Sequence, residues 1–95
     1  MKKDDILRKL REWATRLPEP AAWCTSAEFN QRTYARSAAL EAIRLVEESD
    51  RPPSEVMEWF IYRLDGYACS KHSYSFNFSI AYDTVTAMYD EVILK

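Results

Sequence analysis

Apolar residues recur at intervals of three and four from the start of the chain: Ile6, Leu7, Leu10, Trp13, Ala14 and Leu17. That spacing lays them along one face of an α-helix and predicts an amphipathic helix over residues 4–17. Asp4 and Asp5 fall in its first turn, where carboxylates interact favourably with the helix dipole. Pro18 and Pro20 mark its end, because proline disfavours helical backbone in the preceding residue and has no N–H to donate. After a short linker carrying Trp23 and Cys24, Thr25 with Glu28 three residues on reads as a capping box that opens a second helix over 26–49. Its apolar side holds Phe29, Ala35, Ala38, Ala39, Ala42, Ile43 and Val46. Four alanines there imply close approach by another helix.

The stretch "SDRPPS" breaks the pattern, and Ser54 is the expected cap of a third helix over 54–70. Projected at about 100° per residue, Glu55, Glu58, Tyr62, Asp65 and Cys69 take one side. Val56, Met57, Trp59, Phe60, Ile61, Leu64, Tyr67 and Ala68 spread over roughly 200°, twice the usual apolar stripe. An arc that wide implies two contact surfaces, with this helix either central in the bundle or shared with a partner. The next stretch, "YSFNFSIAY", alternates large apolar residues with small or polar ones, which is the period of a strand. No other segment reads as a strand that could satisfy its backbone groups. Val85, Met88, Tyr89 and Val92 follow at helical spacing, and Phe78, Ala81 and Tyr82 extend the same stripe backwards. The expectation is a fourth helix over 75–94, capped by Ser73 or Ser75, with Phe76, Ile80, Ala87 and Leu94 as a second stripe facing away from the core.

Composition agrees with an all-helical reading. One glycine in 95 residues argues against tight hairpins, which lean on glycine at positive φ. A hydrophobic fraction of 47% and an aromatic fraction of 14% mark a globular chain, and its length suits one core. The expected architecture is a single domain, residues 1–95, folded as a compact all-α bundle of four helices. No run of about 18 apolar residues exists, and "MKKDDILRKLREW" is charged where a signal peptide needs an apolar segment, so a cytoplasmic protein without membrane contact is expected. Two cysteines are too few for a disulfide scaffold and are expected as free thiols.

Candidate chemistry is sparse. Cys69 and His72 are three apart, with Asp65 a turn earlier, but a zinc site needs at least three good ligands, and Cys24 is the one other thiol. The same pair as a nucleophile and base would need a lowered thiol pKa and an oxyanion hole, which nothing signals. Glu58 and Asp65 share a helical side and would work as acid and base only if another element closed over them. No Gly-rich loop is present to cradle phosphate. The second helix, "DRPP" and the third helix have the outline of a helix-turn-helix, yet the third helix begins with Glu55 and Glu58 where base-reading cations are needed. The first helix has Lys2, Lys3, Arg8, Lys9, Arg11 and Arg16, interleaved with Asp4, Asp5 and Glu12 rather than aligned as a phosphate track. Nucleic-acid binding therefore ranks below protein contact. No enzyme activity, cofactor, metal or small-molecule substrate is expected.

Charge and aromatic content point to contact. Residues 1–46 hold nine Lys or Arg against six acids, a net +3, and residues 47–95 hold four against nine, a net −5. Such asymmetry presents an acidic face to a basic partner or draws two copies together. Trp13, Trp23, Trp59, Tyr67, Phe76 and Ile80 sit at or beyond the edges of the stripes, and Trp and Tyr are favoured at interface centres. Self-association is the simplest use of such a surface, since a two-fold interface needs one self-complementary patch. Trp59, Tyr67, Phe76, Ile80 and Leu94 are the candidate interface, and Glu55, Glu58 and Asp65 the candidate acidic face.

"PSEVMEWFIYRLDGYAC" followed by "FSIAYDTVTAMYDEVI" resembles small uncharacterised helical proteins of Gram-positive bacteria, often associated with mobile elements. The likeness covers about the last 45 residues and implies a bacterial cytoplasmic protein, with no functional residue carried over. The expected function is a self-associating protein-interaction or adaptor module. The alternative is a regulator or inhibitor that presents its acidic helix face to a basic partner, with a nucleic-acid-binding accessory role ranked third.

Overall fold

The computed structural model describes residues 2–68 and 75–94, the side chains of 67, 68 and 75–77 excepted. Helix α1 spans Lys3–Thr15, α2 Ser26–Glu48, α3 Pro53–Ala68 and α4 Ser75–Met88, and α4 continues into a π-helical segment, Tyr89–Ile93. No strand occurs among the described residues, and the chain is an all-α four-helix bundle. Its radius of gyration of 13.5 Å is close to the ~13 Å of a folded chain of about 100 residues.

The helix ends follow from local chemistry. α1 stops before Leu17, the residue that Pro18 biases away from helix. Thr25 is the N-cap of α2: its hydroxyl accepts the Glu28 N–H at 3.1 Å and donates to the Glu28 carboxylate at 3.0 Å. At the other end of α2, Lys3 Nζ donates to the carbonyls of Glu47 at 3.0 Å and Ser49 at 2.7 Å, a cationic cap where carbonyls lack helical partners. The expected Ser54 cap of α3 is corrected. Pro53 is the first helical residue, where its missing N–H costs nothing, and the carbonyl of Pro52 accepts the Val56 N–H at 3.2 Å. The residues proposed to cap α4 include Ser73, which lies outside the described residues.

One apolar cluster joins all four helices: Leu7, Leu10 and Trp13 from α1, Ala39, Ala42 and Val46 from α2, Met57 and Leu64 from α3, and Val85, Met88 and Val92 from α4 and its extension. The small side chains of α2 are buried, and α2 packs closely on α4. Helix α4, rather than α3, is the central element: it packs on both α2 and α3, and its π-helical end packs on α1 and α3. The alternation of "YSFNFSIAY" resolves accordingly, with Phe78, Ala81 and Tyr82 half-buried against the core and Val85 and Met88 fully buried below them.

Trp13 keeps its place on the apolar stripe of α1, and two other apolar assignments, Ala87 and Phe29, change. Trp13 is 8% exposed and belongs to the core, its indole N–H donating to the Glu91 carboxylate. Ala87 packs against the core instead of joining an outward stripe, because α4 has neighbours on more than one side and a small side chain fits beside the main stripe. Phe29 is exposed near the start of α2, where no α2 residue before Ala38 is fully buried.

Candidate interaction surface

α3 lies at the edge of the bundle. Val56, Met57 and Leu64 bury its inner face, and Phe60 and Ile61 are half-buried beside them, which accounts for the wide apolar arc. The remainder faces outward: Trp59 is 50% exposed and Tyr62 78%. Glu55, Glu58 and Asp65 are exposed on the same helix. Arg63 stacks over the Trp59 ring at 4.9 Å, a cation–π contact that holds the indole in place.

Two grooves flank this ridge, and Glu58 borders both. The first, about 530 Å³, lies between the end of α2, the following turn and α3; Leu45, Val56 and Trp59 give it apolar walls, with Ser49, Arg51 and Glu55 at its rim. The second, about 350 Å³, lies between α3 and α4 and is lined by Glu58, Ile61, Tyr62, Asp65, Tyr82, Thr86, Tyr89 and Asp90. Three phenol rings and three carboxylates gather there. The Tyr89 hydroxyl donates to Glu58 at 2.9 Å. Burial of the ring, first, and then that hydrogen bond and the charges of Glu58 and Asp90 raise the Tyr89 pKa, since each disfavours a tyrosinate. The π-helical segment begins at Tyr89, and its wider turn closes with the Leu94 N–H donating to the Tyr89 carbonyl at 3.1 Å.

Ion pairs lie within α1, the linker and α2. Arg8 pairs with Glu12, Arg11 with Glu47, Arg36 with Glu19, and Arg44 with both Glu41 and Glu48. Hydrogen bonding to Arg44 lowers the Glu41 pKa, and the same contact raises that of Arg44. Arg32 stacks on Trp23 at 4.9 Å and donates to the Glu19 carbonyl at 3.1 Å, while Arg36 donates to the Leu17 carbonyl at 3.3 Å. These two arginines bind the proline linker to α2. Six of the nine cations of the basic half, Lys3, Arg8, Arg11, Arg32, Arg36 and Arg44, thus have partners in α1, the linker or α2 and its C-terminal cap. Glu55, Glu58 and Asp90 have no cationic partner among the described residues.

The predicted site residues divide. Glu55, Glu58 and Asp65 share the outer face of α3, and Glu58 and Asp65 line one groove. Among the apolar candidates, Trp59 lines the groove toward α2, Ile80 is half-buried on α4, and Leu94 is 64% exposed just past the π-helical segment. The side chains of Tyr67 and Phe76, and all of Cys69 and His72, lie outside the described residues. Cys24 is a half-buried free cysteine. Tyr82, Tyr89 and Asp90 are not singled out by sequence, because their membership depends on how α4 lies against α3. Helical spacing puts Tyr82 and Tyr89 on the core stripe and gives no signal that the edge of that stripe opens to solvent.

No protein-family model, curated protein or solved structure matches the chain. Among the described residues no helix is long and apolar enough to cross a membrane, and no group of three or more His, Cys, Asp or Glu side chains is placed to hold a metal ion.

Proposed function

We propose that this protein is a cytoplasmic protein-interaction module whose contact surface is the outer face of α3. The observation that carries this reading is the exposure of Trp59 and Tyr62 on one helix face, each beside a groove and both flanking the carboxylates of Glu55 and Glu58. Large, stiff aromatic side chains bury much area at small entropic cost, and a surrounding polar rim excludes water, which is the anatomy of a binding hot spot. Affinity capture from cells expressing the tagged chain tests it. A partner retained by the wild type and lost with the W59A/Y62A double variant supports the reading, and one retained equally by both overturns it.

A second reading is a homodimer formed through Trp59, Tyr67, Phe76, Ile80 and Leu94, favoured by the exposure of Trp59 and Leu94. Light scattering distinguishes them: a dimer mass that falls to the monomer mass on L94E substitution selects self-association, and a monomer at all concentrations removes it.

A further inference from the structure

Resting on the reading of α3 as a contact face, we propose that the groove between α3 and α4 receives an arginine-bearing segment of another protein. Its walls supply both halves of guanidinium recognition. Tyr62, Tyr82 and Tyr89 line it with aromatic rings, the kind of group on which a planar cation stacks, and Glu58 and Asp90 offer carboxylates without a cationic partner among the described residues. Guanidinium fits this combination better than ammonium, because it is weakly hydrated, stacks on aromatic faces and pairs with carboxylates through a planar fork.

Charge complementarity selects a foreign segment over a second copy of this chain. Lys3, Arg8, Arg11, Arg36 and Arg44 are bonded to carbonyls or carboxylates of α1, the linker and α2, and Arg32 is stacked on Trp23; a second copy as a whole has a net charge of −2, which opposes its approach to an acidic groove, whereas an arginine-bearing segment is drawn to it. The groove, about 350 Å³, is near the lower end of the roughly 300–1,000 Å³ range of small-ligand clefts, which suits one or two side chains of an extended peptide. Glu58 is already oriented by the Tyr89 hydroxyl at 2.9 Å, leaving its second oxygen for the incoming cation.

The test is an NMR titration of the full chain with acetylated, amidated tetra-arginine, and in parallel with tetra-citrulline, which keeps the shape without the charge. Exposed ion pairs are individually weak, so an affinity on the order of millimolar is expected, a range in which chemical-shift changes report the site directly. Saturable shifts at Tyr62, Tyr82, Tyr89, Glu58 and Asp90, absent with citrulline and weakened about three- to tenfold in the E58Q/D90N variant, support the proposal. The amide introduced by E58Q can still accept the Tyr89 hydroxyl, and the shift dispersion of the variant checks its fold. Shifts of equal size spread over Glu12, Glu41 and Glu48, or undiminished in E58Q/D90N, overturn it. If tetra-arginine fails while W59A/Y62A still abolishes partner capture, the basic occupant is wrong and the contact face stands.

Discussion

At the scale of single residues, burial and hydrogen bonding decide which side chains are structural. Trp13 lies on the apolar face that helical spacing gives α1, and what sequence does not show is that the Glu91 carboxylate, seventy-eight positions away, accepts its indole N–H. Trp59 stays half-exposed because no described element covers α3 on that side. Tyr89 gives a testable titration. Its folded pKa is raised above the unfolded value, so the stability it contributes is fully present below about pH 10 and is lost as pH rises through the folded pKa. A ring-resonance titration is expected to place Tyr89 above the ordinary tyrosine value, and E58Q to lower it while leaving the part due to burial; a Tyr89 pKa unmoved by E58Q would remove Glu58 as a cause. Gly66 is the sole glycine, set in α3 with no neighbour that an added Cβ would touch and no positive φ. Gly66→Ala is therefore expected to stabilise the fold by about 0.4–1 kcal/mol, read as a rise in thermal midpoint of a few degrees. A drop would mean that the backbone at Gly66 needs its freedom.

At the scale of elements, periodicity makes the helices legible and their neighbours do the rest. "YSFNFSIAY" carries two periods at once, and the absence of any pairing segment decides between them, since a lone strand would leave its backbone groups unsatisfied. Ser54 and Ala87 are less legible. A serine after two prolines has the chemistry of a cap, but Pro53 at the first helical position supplants it. An alanine outside the main stripe, such as Ala87, cannot reveal which helix it will meet. The alanines of α2 are informative because small side chains in a row imply a close helix: Ala39 and Ala42 are buried where α2 packs on α4. Ala42→Leu is accordingly expected to cost about 1–3 kcal/mol by overpacking, measured by denaturant unfolding, whereas substitution of exposed Leu40 by Ala should change stability by less than about 0.5 kcal/mol. Equal effects at the two sites would contradict the packing of α2 on α4.

At the scale of the whole molecule, the charge asymmetry visible in composition acquires a location. Arg8, Arg11, Arg36 and Arg44 are paired within α1, the linker and α2, while Glu55, Glu58, Asp65 and Asp90 line two grooves that share Glu58. The acidic face on α3 is readable from helical spacing alone. The tyrosine groove is not, because it is assembled by two helices whose relative placement no single-segment pattern encodes. The proposed role follows from this face, which combines the exposed rings of Trp59 and Tyr62 with the carboxylates of Glu55 and Glu58 and would contact a basic protein segment. The most direct measurement replaces Tyr62 by the photo-crosslinking residue benzoylphenylalanine in the full chain and compares it with the same replacement at Leu40, on the exposed side of α2, in living cells. The account predicts a discrete crosslinked species from position 62 and none from position 40; crosslinks of equal yield at both positions, or at position 40 alone, would contradict it.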